Sequence, residues 1–101
     1  MKDVHEIYTV FKTEFPELSG ILDSTSKALH EKGGPLDART RALVKIAASA
    51  ASRHHTAFET HVVAAREAGV DESEIVHAML LVVTTCGFPT FMEAYSKYKA
   101  L

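Results

Sequence analysis

The sequence reads as an all-α protein. Apolar residues recur at three- and four-residue intervals through most of the chain, glycine and proline punctuate those runs, and no strand-like alternation appears. The stretch from Asp37 to Gly69 is the centre of the pattern. Leu43, Val44, Ile46, Ala47 and Ala50 form an apolar stripe of a helix, with Asp37 as its N-cap after the break Gly33-Gly34-Pro35. A second helix carries Phe58, Val62 and Ala65 on one side and Glu59 and Arg66 on others, and it closes at Gly69, a residue suited to the left-handed C′ position. The two helices are expected to meet near Ser52 to His55.

The rest of the chain follows the same logic. Val4, Ile7, Tyr8, Phe11 and Phe15 recur at helical spacing, with Lys2, Asp3, Glu6, Thr9 and Lys12 between them, which gives an amphipathic first helix. Pro16 ends it and is well placed to open the next helix at its first position. That next helix carries Leu18, Ile21, Leu22, Thr25 and Leu29 up to the double glycine. After Gly69, Asp71 followed by Glu74 resembles a capping box. The helix from Ile75 to about Thr85 is apolar nearly all round, so it is expected to be buried on every side and partly covered by a neighbouring subunit. Gly87-Phe88-Pro89 breaks the chain, and Thr90 to Leu101 forms a last helix with Phe91, Ala94, Tyr95 and Tyr98 on one side.

At 101 residues the chain is expected to be a single domain spanning 1–101. An apolar content of 47% is generous for a chain that can cover only part of its own surface, and association with copies of itself is the simplest destination for the surplus. The net charge of −2 argues against a nucleic-acid partner, which calls for a basic face. The longest apolar run is much shorter than the ~20 residues of a membrane span, so no membrane partner is expected. With one cysteine, Cys86, and no secretory signal pattern, the expected setting is the cytoplasm. Cys86 is expected to be a core residue whose burial makes it inert.

Three histidines interrupt the alanine-rich junction. On a straight helix His54 and His61 look the same way but lie roughly 10 Å apart along the axis at about 1.5 Å of rise per residue. That separation is too great for one metal ion, whose ligands sit ~2 Å away. His55 and Glu59 are one turn apart and can share an ion, but two ligands of such common types are a weak signal, and no metal is expected.

With the helices placed, the pattern Leu36-Asp37-x-x-Thr40-Arg41-x-Leu43, then His61-x-x-x-Ala65-x-x-x-Gly69-Val70-x-x-x-Glu74-Ile75, then Gly87-Phe88-Pro89 resembles the carboxymuconolactone decarboxylase-like family, which includes the alkylhydroperoxidase-D-like proteins. The likeness covers about residues 16 to 100. It implies an oligomeric helical bundle of about five to six helices, assembled as a homotrimer or homohexamer with sites near subunit contacts. In the peroxidase branch a C-x-x-C pair opens the helix of the family histidine, and a glutamate on the preceding helix relays protons. His61 matches that histidine, whereas His54 and Ala57 stand at the cysteine positions and Ala42 at the glutamate. Peroxide reduction by that route needs one thiolate to attack oxygen and a second thiol to resolve the sulfenic acid, so this route is expected to be closed.

The decarboxylase branch also lacks the cysteines. Its chemistry calls for carboxylate anchors and a proton-transfer group near neutral pKa. The resemblance therefore makes His61 and His54 the candidate acid–base residues, and Arg53 and Arg41, with Phe58, the candidate substrate contacts. No cofactor is implied. The leading expectation is a small-molecule site around His54 and His61 for a small organic acid. The alternatives are a non-catalytic scaffold and a metal-dependent enzyme using His55, Glu59 and a histidine from another subunit.

Overall fold

The computed structural model describes the backbone from Val4 and the side chains from Glu6 through to Leu101. Lys2, Asp3 and the side chain of Val4, read above as part of the first helix, lie outside the described residues. Among those described, every regular element is helical, and the chain divides into two compact units, residues 1–35 and 36–101.

The first unit is a helical hairpin of α1 (Val4–Glu14) and α2 (Pro16–Lys32). Phe15 turns the chain, and Pro16 takes the first helical position, where its missing N–H is no loss. The Tyr8 hydroxyl donates to Asp23 Oδ1 at 2.9 Å and ties the two helices together. Ile21 and Leu29 remain exposed, as do most of the large apolar side chains in this unit.

The second unit is built from α3 (Ala38–Ala51), α4 (His55–Glu67), α5 (Glu72–Leu80), α6 (Val83–Cys86) and α7 (Phe88–Ala100). Asp37 caps α3 as expected. Its Oδ1 accepts from the Thr40 amide at 2.8 Å, and that bond holds the carboxyl below its ordinary pKa. The apolar stripes of α3, α4, α5 and α7 meet in one core in which Ile46, Phe58, Val62, Ile75 and Met79 are fully buried.

Three expectations are corrected here. The helix read as continuous from Ile75 to Thr85 stops at Leu80, because the Val82 amide bonds the Met79 carbonyl three residues back at 3.0 Å and the register tightens before α6 begins. Within this chain its burial is one-sided: Ile75, Ala78, Met79 and Val82 face the core, while Leu81 is 60% exposed. The capping box at Asp71 does not form, since the Asp71 side chain makes no cap bond and Glu74 pairs instead with Arg39 at 3.1 Å. Cys86 is exposed, because the single turn of α6 tucks only Val83 inward and leaves Thr84, Thr85 and Cys86 outside.

A polar tie closes the core at the C-terminal side. Glu72 Oε1 accepts from Arg66 Nη2 at 2.7 Å and from the Tyr98 hydroxyl at 2.8 Å. The Arg66 and Tyr98 bonds hold the Glu72 carboxyl below its usual range. Burial, followed by the bond to Glu72, pushes the Tyr98 phenol up.

Candidate functional site

Both junctions that end α3 and α4 use the same backbone device. At the end of α4 the Gly69 amide bonds the Arg66 carbonyl at 3.0 Å and the Val70 amide bonds the Ala65 carbonyl at 3.0 Å, the paired bonds of a Schellman motif. Gly69 sits at C′ with φ +81°, the left-handed conformation that glycine adopts without penalty. At the end of α3 the Arg53 amide bonds the Ala50 carbonyl at 3.2 Å and the His54 amide bonds the Ser49 carbonyl at 3.0 Å. The left-handed residue there is Arg53, with φ +60°, and it is the one non-glycine residue of positive φ among those described. An arginine held in this conformation costs about 1 kcal/mol relative to glycine.

The Arg53 side chain reaches α7. Its Nε donates to Glu93 Oε2 at 2.8 Å and its Nη2 to Glu93 Oε1 at 2.7 Å, a bidentate pair. The same carboxylate faces α4, where His55 Nε2 lies 3.6 Å from Glu93 Oε2. His55 Nδ1 is buried and has no hydrogen-bond partner, an arrangement that costs about 1–3 kcal/mol for an uncharged group. Strained backbone, a two-pronged ion pair and an orphaned polar atom thus converge at one junction. A strained backbone and an orphaned buried polar atom each call for an explanation.

The other candidate residues fall as follows. His54 is the N-cap of α4 with ψ 77°, so the straight-helix geometry that aligned it with His61 stops one residue short of it. Its exposed ring lies 3.2 Å from the Ser52 hydroxyl, measured at Nδ1. His61 is half-buried along α4. Ala42, at the family's glutamate position, packs against the core. Phe58 is fully buried, and its ring belongs to the core rather than to any surface. Arg41 sits at the other end of α3, roughly 18 Å from Arg53 by helical rise, and donates to the Leu36 carbonyl at 2.6 Å. The structure therefore brings Arg53 and His55 together with Glu93 and keeps Arg41 apart. Among the described residues no group of three or more His, Cys, Asp or Glu side chains is placed to hold a metal ion.

Glu93 was not among the residues singled out by sequence. It is one acidic residue on an amphipathic helix, 40 positions from Arg53, and nothing local marks it. A second concavity was also missed. A groove of about 340 Å³ runs between α3 and α5, with apolar walls formed by Val44 and Ala47 on one side and Ala78 and Leu81 on the other. Glu74 and His77 stand along its α5 side.

No helix among the described residues is long and apolar enough to cross a membrane. No curated protein matches the chain. Residues 16–99 match the model of the carboxymuconolactone decarboxylase family. That match spans most of the chain and agrees with the helical architecture and with the pattern around His61, Gly69 and Gly87, so this protein belongs to the carboxymuconolactone decarboxylase family.

Proposed function

We propose that this protein is a thiol-independent member of its family that binds a small organic acid and carries out acid–base chemistry on it at the α3–α4 junction. The observation that carries the proposal is Arg53 in the left-handed C′ position, where a glycine would relieve the backbone. What arginine offers there and glycine does not is a side chain, which reaches Glu93 through Nε and Nη2. Its remaining Nη1 edge can take a substrate carboxylate while the Glu93 pair fixes the guanidinium plane.

Glu93 also faces His55, and His54 at the N-cap and His61 within α4 supply further imidazoles. In a decarboxylation the carbon–carboxylate bond breaks and its electron pair stays on carbon. An imidazolium then gives that carbon its proton and is recharged from water. Dithiol reduction of hydroperoxides is closed to this chain, which has one cysteine.

The exposed Leu80, Phe88 and Met92 favour self-association with these residues at the contacts, and the family resemblance implies a homotrimer or homohexamer. The lone cysteine fits a reducing compartment such as the cytoplasm. The test is turnover of γ-carboxylated lactones by the wild type and by Arg53→Gly, His54→Ala, His55→Ala and His61→Ala, together with ligand-induced shifts in melting temperature. Loss of turnover or of the shift in Arg53→Gly and in at least one histidine variant supports the reading, and indifference of every variant removes it. A non-catalytic scaffold is the second reading, favoured by Ala42, His54 and Ala57 at the family's relay positions. Absence of turnover together with an intact oligomer would support it.

A further inference from the structure

The groove between α3 and α5 is separate from the polar junction. On α3 its lining ends at Ala47, well before Arg53. Its volume of about 340 Å³ falls within the ~300–1,000 Å³ of small-molecule sites and exceeds the ~150 Å³ that holds one benzene ring in an engineered cavity. Its walls are aliphatic, so the body of a ligand must be apolar. The polar groups are few: Thr40 on the α3 wall, and Glu74 and His77 on the α5 wall. Glu74 gives one oxygen, Oε1, to Arg39 at 3.1 Å, and its side chain remains one-third exposed. An ionised carboxylate can only accept hydrogen bonds, so the head group it takes must be a donor, and an anionic head group is repelled. His77 stands one turn further along the same wall and can serve the same head group through either ring nitrogen.

We infer that the α3–α5 groove is a binding site for a small apolar molecule with one hydrogen-bond-donating head group, such as a phenol, its donor directed to Glu74 and its body between Val44, Ala47, Ala78 and Leu81. The site is independent of the acid–base junction: an organic acid suits the free edge of Arg53, whereas Glu74 selects against one.

The experiment is a titration of the intact protein with 2-naphthol, followed by backbone amide chemical shifts, with light scattering on the same samples. Saturable shifts confined to the groove residues of α3 and α5 are expected. Val44→Trp, at a half-exposed position where bulk is tolerated, fills the groove and should abolish them. Glu74→Ala should weaken binding roughly tenfold by removing a charged acceptor, and 2-naphthoate should bind at least that much more weakly than 2-naphthol. Absence of saturable shifts, shifts that survive Val44→Trp, or equal binding of 2-naphthoate would each overturn the inference. So would a change in molar mass caused by Val44→Trp, which would make the groove a contact between copies of this chain.

Discussion

Arg53 holds Glu93 from a backbone conformation that arginine disfavours: its φ is +60°, and its Nε and Nη2 lie 2.8 and 2.7 Å from the two carboxylate oxygens. Two opposing effects of similar size meet in one residue. The left-handed φ costs about 1 kcal/mol relative to glycine, and a well-formed pair at an exposed site returns up to about 1 kcal/mol. Arg53→Gly should therefore leave stability within about 1 kcal/mol of the wild type. Arg53→Ala keeps the strain and loses the pair, so it should be the less stable of the two. Urea denaturation of both variants checks the order, and Arg53→Gly less stable than Arg53→Ala would refute the account.

Phe58 offers a contrast. It was a candidate substrate contact, but its ring is fully buried against the core. Phe58→Ala should cost about 3–5 kcal/mol of stability, through lost burial and the cavity left behind. A loss under about 1 kcal/mol in denaturant unfolding would mean that the ring is not packed as described.

The Glu72 tie predicts the acid limb of stability. Its folded-state pKa is lowered, chiefly by the Arg66 bond and then by the Tyr98 bond. Its contribution is therefore complete above the ordinary value of 4.5 and is lost as pH falls through the lower folded-state value. For Tyr98 the sign is opposite, since a raised pKa favours the folded state below 10.0 and the benefit disappears as pH rises through the folded-state value. Melting temperature should fall as pH drops below about 4.5, and less steeply in Glu72→Gln. Parallel curves for wild type and variant would contradict this.

Gly87 joins α6 to α7 with φ +98° and ψ 153°, a region that side chains other than glycine's hydrogen effectively do not enter. Gly69, at φ +81°, is the milder case and has open space where a Cβ would go. Gly69→Ala should destabilise by about 1 kcal/mol and Gly87→Ala by more, up to about 3 kcal/mol. Thermal unfolding of the two variants ranks them directly.

Hydroperoxide consumption with a dithiol donor should stay at background, unchanged when Cys86 becomes serine. A peroxidase cycle through an intrachain disulfide needs two cysteines, and this sequence has one. Its exposure in α6 makes this a stricter test than a buried thiol would, because access is not what limits it.

Much of the architecture was legible because its signals are local. Asp37, Pro16, Gly69 and Gly87 each dictate backbone geometry within a few residues, and each stands where its chemistry places it. The break after Leu80 carried no such signal, since no glycine or proline marks it and the helix tightens through a shift of hydrogen-bond register. Apolar composition gave the wrong depth for Cys86, because a single turn can hide only one of its side chains. At the candidate site the histidine cluster was visible in the sequence, whereas the choice of His55 as the ring facing a carboxylate was not. That choice depends on α7 docking against α4, a contact between distant parts of the chain.

The Arg53–Glu93 pair also bears on when the site comes into being. The α3–α4 turn can form from neighbouring residues alone, but the carboxylate that pairs with Arg53 and faces His55 is supplied by α7, 40 positions away. A nascent chain halted before Phe88 would carry the histidines and the strained arginine with nothing to hold them. A fragment lacking α7 would keep the histidines and lose the carboxylate that Arg53 and His55 face.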